Sequence, residues 1–214
     1  MRGRFITLEG PEGSGKSTHI VRLKERLEAK GIRCLQTREP GGTPAGEAIR
    51  HLLKHDPAGE GMCAETETLL FEASRAELIR KIIQPALVAG TWVLCDRFAD
   101  STTAYQGYAR GMDMARIEAM NAFAVGPTPP DLTVLMDIDV KRAFERTHER
   151  NAQTKTTHDR IEREHISFHE RVRAGYLDMA RRFPDRFRII DADRTREQVE
   201  PDVWAAVAGT FGLS

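Results

Sequence analysis

Residues 10–17 read GPEGSGKS and match G-x-x-x-x-G-K-[ST] at every fixed position. The match lies directly after a β-type run, RFITLE at 4–9. It lies directly before an apolar-periodic stretch starting at Lys16, in which Ile20, Leu23 and Leu27 recur at helical spacing. Strand, glycine-rich turn and helix in that order are the context a phosphate-binding P-loop requires. Gly10, Gly13 and Gly15 let the backbone turn successive N–H groups toward an anion. The helix N-terminus adds unsatisfied N–H groups and the positive end of its dipole. Lys16 places a cation on β- and γ-phosphates, and the Ser17 hydroxyl can ligate Mg²⁺. Glu12 runs against this pattern, since a carboxylate aimed into an anion cradle would repel a triphosphate. It must point away, toward donors such as the sugar hydroxyls of a second substrate, or lie solvated at the surface.

Outward from the loop, short β-rich runs alternate with longer helical patterns. Strands are expected at 4–9, 32–36, 91–95 (TWVLC), 132–137 (LTVLMD) and 187–190. Helices are expected at 16–30, 44–55, 65–88, twice between 100 and 125, at 160–182 and at 197–211, with GPTPPD at 126–131 as a rigid connector. Strands separated each time by helix imply βαβ crossovers, hence an α/β P-loop fold with a five-stranded parallel sheet and helices on both faces. The nearly continuous apolar character of TWVLC and LTVLM suits strands buried on both sides. Residues 146–160, RTHERNAQTKTTHDR, hold no apolar residue except Ala152. A mobile, solvent-facing lid between two helices is expected there, within a single domain spanning 1–214.

Composition narrows the function classes. The 32 Lys+Arg balance 32 Asp+Glu, which argues against nucleic acid or acidic lipid as a partner held by bulk charge. The longest charge-free stretch, 82–95, contains Gln84, Pro85 and Gly90 and is too short to span a membrane. MRGRFITLEG has no apolar h-region, and Cys34, Cys63 and Cys95 are scattered with no C-x-x-C. Reduced thiols in a cytoplasmic protein are therefore expected, without a disulfide frame or zinc site. His165 and His169 sit one helical turn apart, but near an apolar stripe of Ile161, Phe168, Val172 and Tyr176, and are read as packed or surface histidines.

At the carboxyl edge of such a sheet, ligands occupy the crevice beside the P-loop. Asp96 and Arg97 end the TWVLC strand there. Asp96 can hold Mg²⁺ and Arg97 can fork onto a phosphate, or the two can form a structural ion pair. Asp137 ends the LTVLM strand without a following arginine and ranks below Asp96. TREPGGT at 37–43 brings Arg38 to the same edge on a loop whose path Pro-Gly-Gly restricts. On the 65–88 helix, Phe71 and Arg75 lie one turn apart on one side. An aromatic beside a cation suits stacking on a planar base and bonding its edge; a helix buried on two sides with a snorkelling arginine gives the same pattern.

Five segments, FITLEGPEGSGKST, TREPGGTPAGEAIR, LLFEASRAELI, DRFADSTTAYQG and DRIERE, resemble thymidylate kinases in order from residue 5 to 164. TREPGGT with DRF…AYQG is far more specific than the P-loop. The resemblance implies ATP and dTMP as substrates, dTDP as a product on the way to dTTP, Mg²⁺ with ATP, and a homodimer. It places Gly10, Pro11, Glu12, Gly13, Ser14, Gly15, Lys16, Ser17 and Thr18 against ATP, and Ser17 with Asp96 on the metal. Phe71 would stack on thymine, Arg75 would bond the base edge, and Ser101 and Thr102 would lie around it. Tyr105 would lie against the deoxyribose, Arg38 and Arg97 would hold the acceptor phosphate, and Glu12 would face the sugar 3′-hydroxyl. Members carry a further transition-state arginine in the P-loop or the lid. Gly13 occupies the P-loop position here, so the lid must supply it, with Arg150 first and Arg146 second. Arg160 would mark a hinge or touch a phosphate, and the loop at 191–195 would pass the adenine.

Two other readings remain open at this level: a kinase for another nucleotide or a deoxynucleoside, and a P-loop ATPase switch. An N-K-x-D guanine-reading motif is absent from the chain, which weakens a GTPase version of the switch.

Overall fold

A computed structural model of the chain describes residues 2–154 and 158–213. Five parallel strands, β1 (Phe5–Glu9), β2 (Cys34–Arg38), β3 (Trp92–Asp96), β4 (Leu132–Asp137) and β5 (Phe187–Asp191), form one sheet in the order β2-β3-β1-β4-β5. β1 sits at the centre, with Leu8 opposite Asp96 on β3 and opposite Val134 on β4. That register sets the P-loop, which leaves β1, beside the Asp96–Arg97 pair that ends β3.

Successive strand residues point to opposite faces, and each face has its own cover. Ile6, Leu8, Leu94, Val134 and Met136 pack under α1 (Lys16–Ala29) and α9 (Arg196–Phe211), against Ile20, Leu23, Leu27, Val199, Val203 and Val207. On the other face, Phe5, Val93 and Cys95 meet Leu78, Ile79, Ile83 and Phe98. Leu135 meets Phe168, Val172, Tyr176 and Met179 of α8 (Ile166–Arg182). Burial on both sides is why these strands read as unbroken apolar runs. Among the described residues no helix is long and apolar enough to cross a membrane.

Several expected boundaries move. The second strand is Cys34–Arg38, later than 32–36, because its register follows the β3 ladder from Trp92 to Asp96. The 65–88 helix is α3 (Ala64–Leu78), a π-helical turn (Ile79–Ile83) and α4 (Gln84–Val88). Pro85 has no N–H to donate to the preceding turn, and the ladder widens just before it. The two helical patterns after residue 100 become α5 (Ala99–Thr102) with a π-helical segment (Thr103–Ala109), then α6 (Met114–Val125). α2 (Pro44–Lys54) is capped by the Thr43 hydroxyl on the Gly46 N–H.

The largest correction concerns 146–160. α7 runs Val140–Thr154, so residues 146–154 are helical and not a loop. The helix needs no apolar stripe along its whole length, because Ala143, Thr147 and Asn151 form its buried edge while charged residues face water. Residues 155–157, in the expected lid, lie outside the described residues. The next helix begins at Ile166, not Arg160, because Asp159 folds a turn by accepting from the Ile161 and Glu162 N–H groups, and His165 caps α8.

α8 also locks the π-helical segment in place. A Cβ built on Gly175 would meet the Tyr108 ring at 2.7 Å, so the two elements approach more closely than any side chain allows. Gly175→Ala is expected to cost about 1–3 kcal/mol by overpacking. It also displaces the segment that carries Tyr105; denaturant unfolding checks the first effect, and ligand titration at the site described next checks the second.

Candidate active site

The P-loop adopts the conformations its glycines permit, with φ of 133°, 77° and 87° at Gly10, Gly13 and Gly15. Gly13 packs so closely on α7 that a Cβ would lie 2.4 Å from the Ala143 carbonyl oxygen. No side chain, arginine included, fits at that position. Lys16 is buried and donates to the Gly10 and Pro11 carbonyl oxygens at 3.1 and 2.7 Å. Burial lowers its pKa to about 8, and Arg97 adds to that effect. The Ser17 hydroxyl donates to Asp96 Oδ2 at 2.6 Å, so the two oxygen groups expected to share a cation are in direct contact. Asp137, by contrast, is held by Arg173 at 2.7 and 2.9 Å.

A cavity of about 470 Å³ opens beside this loop. Lys16, Ser17, Asp96 and Glu12 line one part of it, while Arg38, Phe71, Arg97, Ser101, Thr102 and Tyr105 line the rest. Glu12 turns away from the anion cradle, and its Oε1 accepts from Arg97 Nη2 at 3.0 Å. Burial pushes the Glu12 carboxyl up, but Arg97 and Lys16 more than reverse this and hold it well below the usual range. Arg97 has a φ of 69°, rare for a residue with a side chain, and its Nη1 also reaches the Gly10 carbonyl oxygen at 3.0 Å. Its guanidinium lies 5.2 Å from the centre of the Tyr105 ring. Burial raises Tyr105 to about 12, and its hydroxyl has no hydrogen-bond partner among the described residues. His169 Nε2 and Glu39 Oε1, on the same cavity wall, are likewise buried without one. Three such polar atoms on one cavity mark places where a polar ligand can bond.

Arg75 is the main departure from expectation. It is fully buried and does not line the cavity. Its Nε donates to Glu39 at 2.9 Å, Nη1 to Glu72 at 2.5 Å and Asn121 at 3.0 Å, and Nη2 to Thr102 at 3.0 Å. Nη2 also lies 2.8 Å from Glu39. With its donors committed, the guanidinium acts on the cavity through Thr102 and Glu39, which do line it. Phe71 is half-buried on the cavity wall. Arg38 is half-exposed and paired with Glu47 at 2.8 Å.

The two lid arginines part ways. Arg150 lines the cavity and is paired with Glu162 at 3.3 Å. Arg146 turns to the loop after β5, donating to the Ala192 and Arg194 carbonyl oxygens at 2.8 and 3.1 Å. Arg160 reaches the Leu53 carbonyl oxygen and Glu67, at 3.1 and 2.6 Å, so it anchors the turn to α2 and α3. Lys54 and Asp159, 2.7 Å apart, make a second tie. Lys54, Asp159 and Arg50 line the cavity and were not singled out from the sequence, and His169, read there as a packed or surface histidine, lines it too. Only the i, i+4 step from Arg50 to Lys54 on α2 hinted at a basic edge. Among the described residues no three His, Cys, Asp or Glu side chains converge as a metal site.

Comparison with known proteins identifies relatives of the chain. The family model described as thymidylate kinase matches residues 8–203. A thymidylate kinase of Desulfosudis oleivorans is 50% identical over 190 residues, 88% of each chain. Those of Deinococcus radiodurans and Magnetococcus marinus are each 45% identical, over 97% and 100% of both chains respectively.

Burial raises Glu9 to about 7, with Asp100 adding to it, and raises Glu39 to about 8 against the pull of Arg75. Each therefore binds a proton in the folded state that the unfolded chain, titrating near 4.5, has already lost. Stability from these groups is full below 4.5 and declines until pH passes 7 and 8. The depressed histidines, His19 and His169, act in the opposite sense only below their ordinary 6.5. The melting temperature should thus fall between pH 6.5 and 7.5, before loss of the Lys16 proton, which burial brings down to about 8, turns the slope upward. Glu39→Gln should make that fall shallower; calorimetry across that range checks both.

Proposed function

The chain belongs to the thymidylate kinase family, and from that premise we propose that it transfers the γ-phosphoryl group of ATP to dTMP, giving ADP and dTDP for dTTP synthesis. One observation carries the assignment. The Lys16–Ser17–Asp96 end and the Arg97–Phe71–Tyr105 end line a single cavity, an arrangement that supports two nucleotides bound with their phosphates facing.

The attacking atom is a phosphate oxygen of dTMP, already anionic near neutral pH, so no general base is needed. It bonds to the γ-phosphorus as the bond to the ADP oxygen breaks. The protein's task is to hold two polyanions in line and to neutralise charge on the moving group. The loop from Gly10 to Thr18 cradles the ATP phosphates, with Lys16 as its cation. Ser17 and Asp96 fit Mg²⁺, which prefers hard oxygen ligands and keeps several waters. When bound, the ion shields the negative charge of the ATP phosphates. Arg97 and Arg38 hold the dTMP phosphate, and Glu12 both steadies Arg97 and faces the sugar. Phe71 stacks on thymine within reach of Ser101 and Thr102, while Tyr105 packs on the deoxyribose. Arg75 supports this wall from behind. The second half of α7 and the turn at 158–165 serve as the lid, with Arg150 as its phosphate-facing arginine, and the loop at 191–195 borders the adenine.

We also propose a cytoplasmic homodimer. Leu69 and Phe123 stand 58% and 85% exposed on α3 and α6, two helices that pack on each other, and pairing would remove them from water.

A coupled assay with dTMP, dUMP, dCMP, UMP and thymidine tests the reading. Turnover should depend on dTMP, and ATP consumption independent of any acceptor would refute it. Phe71→Ala should raise the dTMP KM about 5- to 150-fold, the range expected for lost base stacking, with little change for ATP. Arg150→Ala should lower kcat on the order of 10³-fold. Steady-state kinetics of that variant beside Arg146→Ala shows which lid arginine acts.

A further inference from the structure

Glu9, the last residue of β1, is fully buried and has no role in the assignments above. Its Oε1 accepts from the Phe98 backbone N–H at 2.6 Å. Its Oε2 accepts from the Ser101 and Tyr176 hydroxyls at 2.7 and 2.8 Å. Those hydroxyl oxygens lie 2.8 Å apart, and each lies 3.3 Å from Arg97 Nη1. A hydroxyl has a single hydrogen to give. When Ser101 and Tyr176 both donate theirs to the Glu9 carboxylate, their lone pairs face Arg97 and accept from it. The carboxylate also fixes the N–H that follows Arg97, next to the backbone position that departs furthest from ordinary geometry, the φ of 69°. Conformations of that kind persist only where surrounding contacts impose them.

We propose that Glu9 is a positioning residue for the acceptor phosphate. It orients Ser101 and Tyr176 as acceptors behind the Arg97 guanidinium and pins the Arg97 backbone, so that Arg97 meets the phosphate in one pose. Glu9 touches neither substrate. Lys16, Asp100 and Tyr105 surround the same group without bonding it, and none substitutes for its two oxygens. The inference rests on the assignment of Arg97 to the dTMP phosphate.

Glu9→Gln tests it. With the amide oxygen kept on the Phe98 N–H, the NH₂ group faces Ser101 and Tyr176 and turns their hydrogens toward Arg97. Measured at pH 8, where Glu9 is ionised, the dTMP KM should rise about tenfold or more while the ATP KM stays within about twofold, as loss of charge-assisted bonds behind one subsite requires. Tyr176→Phe removes one support without altering the cavity wall and should give the same split at smaller size. A folded Glu9→Gln enzyme with both KM values unchanged, or with both raised alike, overturns the proposal. Should that variant fail to fold, an unchanged dTMP KM in Tyr176→Phe overturns it instead. Arg97→Ala, measured in parallel, separates the two claims. If it too leaves the dTMP KM unchanged, the assignment of Arg97 falls; if it raises that KM and Glu9→Gln does not, only the role of Glu9 falls.

Discussion

Two adjacent parallel strands carry the chemistry. β1 hands the chain to the P-loop just where β3 delivers Asp96 and Arg97, and the Leu8–Asp96 register allows no other alignment. A shift of one residue along either strand would turn the outgoing side chains to the opposite face. It would separate Ser17 from Asp96, which now touch, and Arg97 from Glu12. The apolar strand residues therefore do more than supply burial: packed on both faces, they fix the alignment of the charged groups at the sheet's edge.

Those groups are arranged as pairs. Arg97 faces Glu12, Arg38 faces Glu47, Arg150 faces Glu162 and Lys54 faces Asp159. Whole-chain neutrality is thus built locally around the cavity, and it does not conflict with binding two polyanions. Each cation is held in a defined pose by its carboxylate, so less side-chain entropy remains to be lost when a phosphate arrives. The more buried the pair, the stronger this effect. Arg97 and Glu12 are 13% and 29% exposed, whereas Arg38 and Glu47 are 50% and 44% exposed and gain little from pairing in water. In the proposed acceptor subsite, Arg97 is accordingly the rigid member and Arg38 the adaptable one.

How much of this could be read from residues alone follows the same division. The P-loop, the five strands and the Asp96–Arg97 edge were legible because they rest on local rules: motif spacing, apolar runs and strand-end position. The strand order was not, since no local rule states which strands pair. The role of Arg75 was hidden for a specific reason. The buried side of α3 carries Glu67, Thr68, Glu72, Ser74 and Arg75, a polar face whose arginine bonds partners as distant as Glu39, Thr102 and Asn121. Hydrophobic periodicity assigns such a face to solvent. Glu9 was hidden likewise, as a strand-end carboxylate whose three donors come from two distant places in the chain, residues 98–101 and Tyr176.

The lid shows the reverse error, in which low apolarity suggested a loop and the chain formed a helix. Helix formation there has a mechanical consequence. Arg146 and Arg150 are one turn apart on α7, yet one bonds the loop after β5 and the other lines the cavity. On a flexible loop these contacts would be independent. On a helix they are joined by backbone hydrogen bonds, so a displacement that frees one guanidinium moves the other by a similar amount. The far end of the segment is tied down separately, through Lys54–Asp159 and Arg160–Glu67. Gly13 packs directly on α7, with no room for a side chain between loop and helix. Any change in the conformation of the P-loop at Gly13 is therefore passed directly to the helix that carries Arg150. The contact that denies the P-loop an arginine of its own is the one that links it to the arginine of the lid.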